Sequence, residues 1–174
     1  GKISAFAGRV FESDEPAKYV NSPSTVIYNK SRILYGLHVS KQKIRKKETA
    51  IVVEGYLDFL QLFQSGIENC VAVSGTAFTD QHALQLKRYC KKVYLAYDGD
   101  AAGKAAAIKA GYVLLRVGLS VHIINIPEGL DPDDWVKRDG NGPFLKAIET
   151  SEKILPFHFH NYSGDLSTTS GKST

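Results

Sequence analysis

From Ala50 onward, short apolar runs alternate with longer amphipathic ones, and this alternation restricts the fold more than any other feature of the sequence. The runs 50–54, 70–74, 92–97 and 120–126 have the length and the β-branched and aromatic content of buried strands. Between them, 56–65, 80–89 and 101–117 carry helical periodicity, with Thr79 placed as the N-cap of the second. Two further helices are predicted over 133–139 and 142–150. Strands alternating with helices imply an α/β fold, a largely parallel sheet flanked by helices. In an open sheet of that kind ligands bind beyond the carboxyl ends of the strands.

Acidic residues collect at those ends. Strand 50–54 closes in Glu54-Gly55, with Asp58 in the helix that follows. Strand 92–97 runs into Asp98-Gly99-Asp100. Strand 120–126 is followed by Glu128-Gly129-Leu130-Asp131-Pro132-Asp133-Asp134. Gly99 lets the chain turn sharply and approach a ligand closely. Two carboxylates so near each other repel unless a proton or cation intervenes. Hard oxygen donors in open space suit magnesium or manganese. Each residue also has a plain structural reading, Asp100 as a helix cap and Asp98 as a turn former. Random surface acids, however, would not favour strand ends three times over.

Glu54-Gly55-x-x-Asp58, Asp98-Gly99-Asp100 and Asp131-Pro132-Asp133 together resemble the TOPRIM domain of bacterial, DnaG-type primases. These motifs alone would also suit topoisomerases, some nucleases and recombination proteins. The N-terminal block narrows the choice. Gly8-Arg9-Val10, Tyr19-Val20-Asn21-Ser22-Pro23, Lys30-Ser31-Arg32 and Leu34-Tyr35-Gly36 resemble the basic subdomain that precedes TOPRIM in that family. The resemblance runs from about Ile3 to about Gly140. It implies a partial basic α+β subdomain over 1–48, a TOPRIM domain over 49–140 and, over 141–174, the start of a helical subdomain.

Charge is distributed to match. Residues 1–50 hold ten basic and four acidic residues, +6; the chain is +4, so residues 51–174 carry −2. A basic block joined to an acid-bearing one suits a site where metal meets polyphosphate and nucleic-acid backbone. The run Lys41 to Lys47 is read as a solvated helix face. Ile3 to Phe11 reads as a strand or strand pair, Glu12 to Pro23 as loop, and Ser31 to about Ile44 as a helix packing through Ile33, Leu34, Leu37 and Ile44. No apolar run is long enough to span a bilayer and no signal-peptide pattern opens the sequence. Cys70 and Cys90 form no zinc pattern and are read as reduced core residues, as expected of a cytoplasmic protein. Trp135 is read as core or lid packing, and His158 and His160 as packing or a strand-like linker. Gly164 to Gly171 lacks phosphate-loop spacing.

What the resemblance implies is a primase catalytic-core fragment that joins ribonucleoside triphosphates into an RNA primer on single-stranded DNA. The family's zinc module and helicase-contacting region have no counterpart in these residues, so contact with the replicative helicase is expected elsewhere. Two or more magnesium or manganese ions are implied, on Asp98, Asp100, Asp131 and Asp133. Glu54 either ligates metal or relays the hydroxyl proton, and Gly55, Asp58 and Gly99 support the site. Arg9, Lys18, Asn21, Lys30 and Arg32 are the implied contacts to nucleotide phosphates or nucleic acid. The competing readings are a TOPRIM nuclease or topoisomerase-related domain and a nucleic-acid-binding fragment without turnover.

Overall fold

The structure, a computed structural model, describes residues 3–9 and 19–162. Strands β1 (Ala7–Arg9) and β2 (Tyr19–Asn21) pair antiparallel. A turn through Asn29 leads to helix α1 (Leu37–Lys47). The alternation then begins with β3 (Thr49–Val53), α2 (Tyr56–Gln64), β4 (Cys70–Ala72) and α3 (Asp80–Lys87). It continues with β5 (Lys92–Leu95), α4 (Ala101–Arg116) and β6 (Ser120–Ile123). Helices α5 (Pro132–Asp139) and α6 (Asn141–Glu149), strand β7 (Glu152–Lys153) and helix α7 (Ile154–His160) complete the described chain.

The main sheet has the order β4-β3-β5-β6-β7. Its first four strands are parallel and β7 is antiparallel to β6. This is the α/β architecture that the alternation predicts. Strand β3 lies inside the sheet, between β4 and β5, and is covered on both faces, as parallel strands generally are. Its side chains alternate between two cores. Ala50 and Val52 join Leu37, Ile44, Leu86, Leu114 and Phe157 on one face. Ile51 and Val53 join Phe59, Leu62, Trp135 and Phe144 on the other. Trp135 is therefore core, its ring 5.7 Å from that of Phe144. Both cysteines are buried and free, and burial pushes their thiols up, Cys70 to about 12 and Cys90 to about 11.

Local structure departs from the sequence reading at α1, β2 and α7, and strand β7 has no counterpart in that reading. The helix expected from Ser31 starts only at Leu37. Tyr35 instead exchanges two backbone hydrogen bonds with Ala72, at 2.8 and 3.0 Å, and Gly36 at φ 81° turns the chain into the helix. Part of the stretch read as loop is strand: β2 gains its partner only through the long-range pairing with β1. His158 and His160, read as packing or a strand-like linker, lie on α7, where His158 packs on Tyr112. Tyr112 Oη and His158 Nδ1 are 2.7 Å apart, and His160 pairs with Glu152 at 2.7 Å. Short-range pattern underweights that helix because it is anchored from outside, by Ile154 and Phe157 in the core.

Two glycines fix how α4 meets β5. A Cβ on Gly99 would collide with the Pro127 carbonyl oxygen, and one on Gly103 with the Asp98 carbonyl oxygen. Both obstacles are backbone and cannot swing aside. Glycine inside a helix ordinarily costs about 1 kcal/mol relative to alanine. At Gly103 the sign should reverse: Gly103→Ala is expected to destabilise the fold by about 1–3 kcal/mol, the usual penalty of overpacking. Thermal melts check this, and a stabilised Gly103→Ala would show that helix propensity outweighs the close approach.

Candidate active site

Glu54 directly follows β3 and Asp98 lies just beyond β5, its parallel neighbour, in a register that sets Val52 beside Leu95. From β3 the chain goes to β4 on one side, and later returns to β5 on the other. The order of the sheet therefore reverses between β3 and β5, and a crevice opens at their carboxyl ends, the usual ligand position in such sheets. The first two acidic motifs are adjacent for this topological reason.

The third motif is brought in by α5. Asp131 is its N-cap, with Oδ1 accepting from the Asp134 amide at 2.7 Å. Oxygens of Asp131, Asp133 and Asp134 lie within 4.8 Å of one another, a grouping that could hold a metal ion. Lys137, one turn on, donates to Asp133 Oδ2 at 2.6 Å. Asp58 joins this motif to the first. Its Oδ2 accepts from the Gly55 amide at 2.8 Å and its Oδ1 from the Asp133 amide at 3.2 Å. One carboxylate thus fastens the N-termini of α2 and α5 together.

Glu54, Asp58, Asp98, Asp131, Asp133 and Lys137 all line one cavity of about 1020 Å³. Asp100 is not among its lining residues: exposed, it caps α4 with Oδ1 accepting from the Gly103 amide at 2.7 Å. Its charge is still felt by Glu54. Burial first, then the Asp98 carboxylate, pushes Glu54 up to about 7; the Asp98 amide pulls the other way and Asp100 adds a further push. Burial likewise pushes Asp58 up to about 7, against the pull of the amides that point at it. Glu54 Oε1 is buried with no hydrogen-bond partner among the described residues, and so is the Tyr97 hydroxyl, which lines the same cavity. An orphaned carboxylate oxygen on a residue that shares its cavity with a group of hard donors fits a divalent cation, because the cation would supply the missing partner.

The basic residues lie apart from the acids. Asn21 reaches the cavity rim, its Oδ1 accepting from the Tyr56 hydroxyl at 2.7 Å and its amide lying against Gly75. Lys30 faces a second cavity of about 450 Å³ beside Tyr28, Tyr35 and Tyr56, and Arg32 is exposed. Neither lines the acidic cavity. Arg9 closes β1, and Lys18 lies outside the described residues. Sequence reasoning counted Asp134 in the third acidic run without making it a ligand, and passed over Lys137 and His82. Lys137 had a legible signal, the i, i+4 spacing from Asp133.

Comparison with known proteins agrees with this fold. Residues 51–136 match the family model described as Toprim-like, and residues 1–41 match the N-terminal domain of the DNA primase catalytic core. The DNA primase of Clostridium acetobutylicum is 42% identical over 160 residues, 92% of this chain and 26% of that protein. The crystal structure of the zinc-binding and RNA polymerase domains of the Aquifex aeolicus primase superposes with a TM-score of 0.84 at 41% identity, over 88% of this chain and 38% of that one. A DnaG primase catalytic domain bound to single-stranded DNA superposes with a TM-score of 0.85 at 38% identity, over 99% and 57%. Fold and cleft thus define a TOPRIM-type α/β domain with a basic N-terminal block. More narrowly, the chain belongs to the DnaG-type primase catalytic-core family, and it spans about a quarter of the length of its Clostridium relative.

The raised carboxyl groups set a pH dependence. Glu54 and Asp58 titrate near 7 in the fold, above their ordinary values of 4.5 and 3.8. A group raised in this way favours the fold while protonated in both states and loses that contribution as pH rises through the folded value. Without metal, Glu54 should lower the melting temperature as pH rises from 4.5 to about 7, while His82 and His122, held below their ordinary value by burial, push the other way, so the effect of Glu54 is read as the difference between wild type and Glu54→Gln. Manganese binds the ionised forms, so its stabilisation should be larger at the upper end of that window. Metal-free stability that falls no more steeply in wild type than in Glu54→Gln across the window would contradict the burial of Glu54.

Proposed function

We propose that this chain is the metal- and nucleotide-engaging part of a DNA primase catalytic core, acting in template-directed RNA primer synthesis on single-stranded DNA in the bacterial cytoplasm. The observation that carries this reading is the convergence of Glu54, Asp98, Asp131 and Asp133 on one cavity at the switch point of the sheet. The solved DnaG catalytic domain bound to single-stranded DNA supports the template, and the primase relatives support the reaction. We divide the chain into a basic block up to residue 48, the TOPRIM domain over 49–140 and the start of a helical subdomain from 141.

In this reading the 3′-hydroxyl oxygen of the growing primer attacks the α-phosphorus of a ribonucleoside triphosphate. The bond to the β-phosphate breaks and pyrophosphate leaves. Magnesium or manganese, when bound, offsets charge on the triphosphate and eases ionisation of the attacking hydroxyl. Asp98, Asp131 and Asp133 would hold such ions, with Asp100 at the edge of the set. Glu54, carrying a free buried oxygen and titrating near neutrality, either joins them or takes the hydroxyl proton. Asp58 is spent on backbone amides and positions the two acidic loops. Asn21, Lys30 and Arg32, with Arg9 and Lys18, would contact nucleotide phosphates or the template–primer backbone.

Priming on a single-stranded template, scored beside cleavage of the same strand, tests the reading. Within a core that primes, Asp98→Asn is expected to lower incorporation more than about 100-fold, the scale of several kcal/mol of charge stabilisation. Wild-type priming by a folded Asp98→Asn protein would refute the assignment. Lys30→Ala and Arg32→Ala should each flatten the salt dependence of single-stranded DNA binding by roughly 0.7 in slope per lost phosphate contact. Unchanged slopes in both would leave these residues as ordinary surface charge.

A further inference from the structure

His82 is fully buried at the start of α3, yet both of its ring nitrogens are engaged. Nδ1 accepts from the Thr79 amide at 3.3 Å, and Nε2 lies 2.9 Å from the carbonyl oxygen of Lys30. A carbonyl can only accept, so Nε2 carries the proton and Nδ1 does not. Only the neutral ring satisfies both contacts, and burial accordingly holds His82 below its ordinary range. Thr79 does the parallel work one residue on. Its Oγ1 accepts from the His82 amide at 3.2 Å, capping α3, and donates to the Ser31 carbonyl oxygen at 2.6 Å.

Two consecutive carbonyls, those of Lys30 and Ser31, are thus drawn down onto the N-terminus of α3. From the other side Asn29 closes the turn. Its Oδ1 accepts from the Ser31 amide at 3.0 Å and from the Ser31 hydroxyl at 2.6 Å, and its carbonyl accepts from the Arg32 amide at 3.0 Å. With the carbonyls held inward, the Arg32 side chain stands exposed and that of Lys30 half-exposed. Gly75 to Phe78, immediately ahead of Thr79, line the acidic cavity, and the Phe78 ring is 5.4 Å from that of His82.

We propose that His82 is a positioning residue: its neutral imidazole, with Thr79, clamps the Lys30–Arg32 turn to the helix that follows the cavity-lining segment Gly75–Phe78, so that two cations are presented to nucleic-acid phosphate in a fixed place. The inference rests on the reading of Lys30 and Arg32 as phosphate contacts. Positioning accounts for much of the rate in phosphoryl transfer, where charge is already present and alignment is what remains. Neither residue touches substrate in this account; both act through the backbone of the turn.

Two substitutions separate the two nitrogens. His82→Asn retains an acceptor near Nδ1 and loses the reach to Lys30. His82→Gln restores a donor near Nε2. Hydrogen exchange of the Ser31 and Arg32 amides, and binding of a labelled single-stranded DNA oligonucleotide, are measured on both. His82→Asn is expected to speed exchange at these amides and weaken binding about fivefold, the scale of one net hydrogen bond, and His82→Gln to recover both. Lys30→Ala should then matter less in the His82→Asn background than in the wild type. Equal exchange in the Asn and Gln variants, or wild-type exchange in both, would overturn the clamp. Should the buried position tolerate neither, Thr79 decides the matter. Thr79→Asp keeps the cap acceptor but has no proton for Ser31, whereas Thr79→Ser keeps both. Faster exchange in Thr79→Asp alone supports the clamp, and identical behaviour of the pair overturns it. If Lys30→Ala and Arg32→Ala bind like wild type, the reading of the turn as a phosphate contact fails, while the exchange pattern still decides the clamp.

Discussion

Carboxylates gathered in one cleft repel, and the arrangement of this protein follows from how that repulsion is contained. Glu54, Asp58, Asp98, Asp131 and Asp133 share a cavity, and two of them are lifted to near neutrality by burial and by their neighbours. Three helix N-termini meet the same region. Asp58 sits in the first turn of α2, Asp100 caps α4 and Asp131 caps α5. The positive ends of helix dipoles favour negative charge within the first turn, by about 0.3–1 kcal/mol each at exposed positions. Lys137 adds a full positive charge against Asp133. These contributions make the cluster tolerable without making it neutral, which leaves a site that gains from a divalent cation.

The acids divide into those committed to structure and those left free. Both oxygens of Asp58 accept backbone amides, one oxygen each of Asp100 and Asp131 caps a helix, and Asp133 answers Lys137. Glu54 is the exception, with a buried oxygen lacking a partner among the described residues. A buried acceptor in that state costs about 1–3 kcal/mol. A fold that carries such a cost at the end of an interior strand, beside the switch point of the sheet, has placed it where a ligand can relieve it. The backbone is equally committed, since Gly99 and Gly103 admit no side chain between β5, α4 and the Ile126–Pro127 segment.

The sheet and its acids were legible in the sequence because both are written in local periodicity. Four apolar runs of strand length mark β3 to β6, and the acidic motifs follow three of them at different distances, Glu54 at once and Asp131 only at the start of α5. What was not legible depends on contacts between distant segments. β2 exists through its pairing with β1, and the late start of α1 through the bridge between Tyr35 and Ala72. α7 exists through Ile154 and Phe157 in a core assembled elsewhere. The same holds within the site. A histidine three residues into a helix looks like an ordinary core or surface residue until Lys30 is seen to lie against it, 52 positions away in the chain. Asp58 looked like support for Glu54, and it is equally the fastening of α5.

The central claim is that three acidic loops form one cation site organised around an unsatisfied Glu54. A crystal of this chain soaked in manganese measures it most directly, through the anomalous signal of the metal. The account expects a peak inside the cavity, within coordination distance of Glu54 or Asp98 and shared with Asp131 or Asp133, with Lys137 turned away from Asp133. A peak held by exposed surface acids alone, with Glu54 Oε1 still lacking a partner and the Lys137–Asp133 pair intact, would contradict it.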